Sequence, residues 1–166
     1  MFKKVIITLA FAFALPVLAM AQKFGSVDVN AIFSAMPETK AAQTQLAEAS
    51  KKYEEEFKKL QEEFDKKFQE YQALGTDAPA SIKERREQEL QEYNEKIQQF
   101  RQTASQDLEK QNQTLLAPIE SKINEAIKAV GQEGGFTFIL QNGMALYEGK
   151  DVVDVTPAVK TKLGIK

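Results

Sequence analysis

From Tyr53 to Leu74 an apolar side chain returns every three or four residues, at Tyr53, Phe57, Leu60, Phe64, Phe68, Tyr71 and Leu74, with Leu46 ahead of them. That spacing puts them on one narrow face of a helix. The remaining faces carry Glu and Lys four residues apart, as in Glu54–Lys58, Glu55–Lys59, Glu62–Lys66 and Glu63–Lys67. Such pairs keep a helix soluble and add a few tenths of a kcal/mol each, about 0.3. Pro37 suits the first turn of this helix, and Glu38 suits its positive end. The run "GTDAPAS", Gly75 to Ser81, breaks the periodicity and predicts a turn. A second helical stripe follows through Leu90, Tyr93, Ile97, Phe100, Ala104, Leu108, Leu115 and Ile119.

The two stripes belong together. Folded back at the turn, Phe64 with Tyr93, Leu60 with Ile97, Phe57 with Phe100 and Tyr53 with Ala104 share one residue-number sum. Ala49 with Leu108 and Ala42 with Leu115 share it too. A constant sum is the signature of an antiparallel pair, so the stripes predict a coiled-coil hairpin over residues 38–117 with its tip near 75–81. At ~1.5 Å per residue the arm is on the order of 55 Å long. Most large apolar side chains are used at the seam. The wide edge of the stripe, at Phe57, Phe68 and Tyr71, is left partly free and supplies the candidate contacts for a partner.

The flanks read differently. "KFGSVDVNAIF" predicts a strand at Lys23–Val29. Pro118 predicts a kink in the second helix, which continues amphipathically through Ile119, Ile123, Ile127 and Val130 to the glycines at 131, 134 and 135. "FTFIL", Phe136 to Leu140, predicts a strand. Asn142-Gly143 predicts a hairpin turn, with Ala145–Gly149 as the returning strand. Thr156 as a cap and Pro157 in the first turn predict a short terminal helix. The fold class is α+β: residues 22–37 and 118–166 form a small β-rich body, and a long helical arm projects from it. A body of roughly 60 residues has a marginal core. Its apolar strands, at Val27, Val29, Phe136, Phe138 and Leu140, also leave open edges. Both facts predict that several copies associate through these residues.

Composition narrows the function. Lys3 and Lys4, the apolar run Val5 to Leu18 and Ala19-Met20-Ala21 form a signal-peptide pattern with cleavage after Ala21. The run is shorter than the roughly 20 residues of a spanning helix. The protein is thus expected to be exported to the periplasm. It has no Cys and no His, so neither disulfides nor the usual nucleophile–base pairs are available. Its carboxylates lie on exposed helix faces, where nothing tunes them for catalysis. No enzyme activity, cofactor or metal is expected. Without Lys3 and Lys4 the chain carries 20 basic against 24 acidic side chains, which gives no reason to expect nucleic acid.

The chain resembles the Skp/OmpH family of periplasmic chaperones. The resemblance rests on "VDVNAIFSAMPETKAAQTQL" after an N-terminal strand, then the charged hairpin, then "LAPIESKINEAIKAVGQEGGFTFIL" and the closing "DVVDVTPAVKTKL". It covers essentially all of the mature chain. It implies a jellyfish-like homotrimer whose β-rich core is built from Phe24–Val29, Phe136–Leu140 and Ala145–Tyr147. It implies that the arms surround a cavity holding unfolded outer-membrane β-barrel proteins, without ATP, and prevent their aggregation. One departure is clear. The best-known members are strongly basic, whereas Lys83, Arg85 and Arg86 near this arm's tip are interleaved with Glu84, Glu87 and Glu89. That weakens the case for lipid or lipopolysaccharide contact. The competing reading is a periplasmic coiled-coil spacer or adaptor without chaperone activity, which would need a closed seam and no spare apolar surface.

Overall fold

The computed structural model describes residues 22–165; the expected signal peptide, residues 1–21, lies outside them. In chain order the elements are β1 (Lys23–Val27), α1 (Val29–Ala35), α2 (Pro37–Gln72), α3 (Ala80–Gly134), β2 (Phe136–Gln141), β3 (Val153–Asp154) and α4 (Thr156–Lys162). The chain is mostly helical, with one small sheet.

Helices α2 and α3 make the long antiparallel arm. α2 begins with Pro37 in its first turn, where a missing N–H costs nothing. Glu38 in that turn accepts a 2.9 Å bond from Lys122 Nζ across the base of the arm. This bond holds the Glu38 carboxyl below its usual range. α2 closes where the amide of Ala73 donates to the Gln69 carbonyl at 2.9 Å. Pro79 precedes α3, which runs for 55 residues, on the order of 80 Å, and ends at Gly135 in the left-handed conformation with φ 64°.

The register across the arm follows the constant-sum expectation. Lys67 pairs with Glu89, Arg86 with Glu70, and the Tyr93 hydroxyl donates to Glu63. Each lies within a residue or so of the position that the Leu60–Ile97 alignment demands. Leu60 and Ala104 are buried on the seam, while Phe57, Phe64, Tyr93, Ile97 and Phe100 are half-buried.

α3 is continuous through Pro118, the position at which the sequence predicts a kink. The lost hydrogen bond is offset by packing just beyond it. Ile119 and Ile123 are buried in a cluster with Ile32, Met36, Ala42, Val27, Val155 and Val159. This core lies where α1, the start of α2, the last turns of α3 and α4 meet one face of the sheet.

The sheet departs from expectation in three places. β1 ends at Val27, not Val29. The Asp28 carboxylate accepts from the Ala31 amide at 2.8 Å and caps α1, so Val29 opens a helix. Ala145–Gly149 forms no strand. Gly143 turns the chain at φ 84°, as Asn-Gly predicts, but bends and irregular chain stand in place of the returning strand. The third strand is Val153–Asp154 instead. All pairing is parallel, in the order β2-β1-β3, with Gly25 beside both Ile139 and Val153. A one-residue bulge at Thr137 follows from Lys23 aligning with Phe136 and Phe24 with Phe138.

The terminal helix is tied to the first strand. The Asp28 amide donates to the Thr156 hydroxyl at 2.9 Å, and the Val155 amide donates to the Ser26 carbonyl at 2.9 Å. The Thr156 amide in turn donates to Asp154 at 2.9 Å. Bonds from the Thr156 hydroxyl and then its amide hold the Asp154 carboxyl below the usual range.

Candidate association face and client-contact arm

The two faces of the sheet differ sharply. Register partners in a parallel sheet point the same way. Gly25, Ile139 and Val27 face the helices. Phe136 also lies on this side, its ring close to Gly134 and Gly25. At Gly134 an added Cβ would come within 2.4 Å of that ring, so the close approach needs glycine. Lys23 Nζ sits over the same ring, 4.1 Å from its centre.

Phe24, Phe138 and Leu140 point to the other face, where the Phe24 and Phe138 rings stack at 6.3 Å. No helix among the described residues covers them. Phe138 is 62% exposed and Leu140 44%. The segment after β2 adds Met144, Leu146 and Tyr147, of which Leu146 is fully exposed. Large apolar side chains left this exposed mark an interaction face.

The five residues singled out for association therefore divide. Val27 is buried inside its own chain and Val29 is half-buried on α1. Phe136 packs inward, half-buried. Only Phe138 and Leu140 lie on the open face. Sequence reasoning took all five as strand residues of the association core; the Asp28 cap moves Val29 onto a helix, and the bulge at Thr137 turns Phe136 away from the side of Phe138 and Leu140.

On the arm, Phe57, Phe68 and Tyr71 are not equivalent either. Phe68 is 42% exposed and stacks on Phe64 at 6.4 Å. Phe57 is half-buried beneath the Arg101 guanidinium, 4.5 Å from its ring centre. Tyr71 is half-buried and donates its hydroxyl to Glu87 at 2.5 Å.

Tyr71 is one of three tyrosines that bridge the arm. Tyr53 donates to Asp107 at 2.5 Å, and Tyr93 donates to Glu63. Each ring belongs to the apolar stripe while its hydroxyl reaches a carboxylate on the opposite helix. The carboxylates push all three phenols above their usual range. Periodicity counts tyrosine as apolar and so misses these bonds; an acid beside the aligned position, such as Glu63 next to Phe64, is the signal that could find them.

The basic cluster at the arm tip is internally matched. Arg86 pairs with Glu89 at 2.8 Å and Glu70 at 3.5 Å, Arg85 with Glu89 at 3.7 Å, and Lys83 Nζ donates to the Thr76 carbonyl at 3.0 Å. Arg86 foremost holds the Glu89 carboxyl below its usual range. No helix among the described residues is long and apolar enough to cross a membrane.

Comparison with known proteins agrees with this architecture. No curated protein matches the chain. A solved structure from Caulobacter crescentus CB15, described as a candidate outer membrane chaperone (OmpH-like), superposes with a TM-score of 0.71 at 18% identity. The match covers 86% of this chain and 83% of that one, and establishes a shared fold. The family described as "Outer membrane protein (OmpH-like)" matches residues 23–163, from the first strand to the end of the terminal helix. The chain belongs to this OmpH-like family.

Proposed function

We propose that the mature protein is a homotrimeric, ATP-independent periplasmic holdase. Three copies associate through the open sheet face, and their arms hold unfolded outer-membrane β-barrel proteins and prevent aggregation. The observation that carries this reading is the division of apolar surface. The body leaves Phe24, Phe138, Leu140, Leu146 and Tyr147 exposed, whereas the arm is a narrow charged hairpin with its large side chains in or beside the seam. A sticky base and soluble arms suit a device that joins to itself at one end and meets other chains along the other. Many weak contacts on several arms then hold a client through their high effective concentration. Release needs no nucleotide, because a client that folds or inserts buries the segments that the arms touch.

One observation favours a spacer instead. Tyr71 and Phe57 are engaged within the arm by Glu87 and Arg101, which leaves Phe68 as the most open aromatic of the three. An aggregation assay with a diluted, unfolded β-barrel protein separates the two readings. Wild type is expected to suppress light scattering. A chain with the arm deleted by joining Lys40 to Leu115 is expected to assemble and fail to protect. Equal protection by the deleted chain, or none by wild type, rules out the arms as the holding device.

A further inference from the structure

The chain has five asparagines, and four of them lie in helices. Asn30 is in α1, where the next amide, that of Ala31, donates to the Asp28 carboxylate at 2.8 Å. Asn94, Asn112 and Asn124 are inside α3, where each following amide belongs to the helix's own ladder. Asn142 alone stands in a turn, and it alone is followed by glycine.

The turn is built on two bonds. The Asn142 amide donates to the Val27 carbonyl at 2.9 Å, and the Met144 amide donates to the Gln141 carbonyl at 3.1 Å. The Gly143 amide between them has no backbone acceptor among the described residues. Asn142 and Gly143 are both exposed, and a Cβ added at Gly143 would meet nothing within 4 Å. The Gly143 nitrogen is therefore uncommitted, unhindered and open to water, next in the chain to the Asn142 side-chain amide. Glycine also leaves the backbone there free to adjust. Asparagine is among the chemically labile residues, and this one lacks the protection that the helices give the other four.

We propose that Asn142 is a site of spontaneous deamidation that ages the association face. The Gly143 nitrogen gives its proton to water or hydroxide and bonds to Cγ of Asn142. The Cγ–Nδ2 bond breaks, and Nδ2 takes up a proton and leaves as ammonia. Water then opens the cyclic imide. Attack at Cγ gives aspartate on an ordinary main chain. Attack at the main-chain carbonyl gives isoaspartate, whose chain runs through Cγ and is one methylene longer. No oxidant, metal or enzyme enters the balance.

Either product puts a carboxylate just past the end of β2, between the exposed Leu140 and Met144. Isoaspartate also lengthens the span that the Gln141–Met144 bond closes. A charge carried into an apolar contact by each copy opposes that contact. This effect on assembly rests on the association reading; the chemistry at Asn142 does not.

The test uses the full mature chain, aged for days at mildly alkaline pH, where the attacking nitrogen loses its proton more readily. Peptide mass spectrometry compares it with a fresh sample. The Asn142 peptide is expected to gain about 1 Da, in aspartate and isoaspartate forms, at least about tenfold faster than the peptides holding Asn94, Asn112 or Asn124. Asn142→Gln would have to close a larger ring and is expected to convert at this position about tenfold more slowly. Light scattering is expected to show Asn142→Asp self-associating about threefold or more weakly than fresh wild type, with aged wild type shifted the same way and aged Asn142→Gln unshifted. Conversion at Asn142 no faster than at the helical asparagines overturns the site. Conversion with unchanged association, in aged wild type and in Asn142→Asp, overturns the effect on assembly. A fresh wild type that is monomeric overturns the association reading and that effect together, while the mass spectrum decides the site on its own.

Discussion

Tyr53 on one arm helix donates its hydroxyl to the Asp107 carboxylate on the other at 2.5 Å, 54 residues away in the chain. The same Asp107 accepts from Gln111. These two bonds hold its carboxyl below the usual range, Tyr53 foremost, while Asp107 holds the Tyr53 phenol above its own. The signs fix the pH dependence. A lowered carboxyl stabilises the fold above its unfolded pKa, near ~3.9, and that contribution is lost as pH falls through the folded value. A raised phenol contributes below about pH 10 and is lost as pH rises through its folded value. In Tyr53→Phe the Asp107 carboxyl is expected to titrate nearer its ordinary value, read from its NMR chemical shift against pH. An unchanged titration would mean that Gln111 alone sets it.

The seam register gives a sharper geometric expectation. The chain has no cysteine, so introduced thiols report without interference. Cysteines replacing Leu60 and Ile97 are expected to oxidise to an intrachain bridge faster than cysteines replacing Leu60 and Tyr93, which are about one helical turn out of alignment. Non-reducing gel mobility reads the outcome; equal rates for the two pairs would refute the register.

The two faces of the sheet predict opposite effects of one chemical change. Phe138 is 62% exposed in the single chain and Val27 2%. Phe138→Asp puts a charge on a face that water already reaches, so the chain is expected to stay folded by circular dichroism and lose self-association. Val27→Asp buries an unpaired carboxylate at a cost of several kcal/mol, about 3 or more, and is expected to unfold the body. A Phe138→Asp chain that still self-associates would remove this face from the interface.

Thr39 offers a stabilising change. It is 1% exposed in the first turn of α2, and its hydroxyl oxygen has no hydrogen-bond partner among the described residues. Replacing it with the similarly shaped valine removes an unmet polar group. Thr39→Val is expected to raise stability by about 1 kcal/mol in a urea titration. A loss of stability would show that the hydroxyl is satisfied in solution.

How much of this was legible depended on pattern length. The arm repeats its signal over many turns, so a helix pair, its turn and its register followed from Tyr53–Leu74 and Leu90–Ile119 with little ambiguity. The body is written in short pieces. Val27–Val29 looks like strand because its valines are β-branched, yet the Asp28 carboxylate is better used as a helix cap. Asn142-Gly143 marks a real turn, but a turn does not guarantee that the chain pairs with itself afterwards. Val153–Asp154, two residues long and parallel to β1, carries no periodic signal; its place is set by the bonds that dock Val155 and Thr156 on β1 and α1. Phe138 and Leu140 were grouped with Phe136 for the association core, and the inward turn of Phe136 depends on a bulge that spacing does not encode.

The central claim is that several copies join at the sheet face and close their arms on one client. The most direct measurement is the absolute mass of the mature protein by light scattering, alone and with an unfolded β-barrel protein, at micromolar concentration. The account predicts a trimer alone and a complex of three copies with one client. A monomer that stays monomeric when the client is added would contradict it.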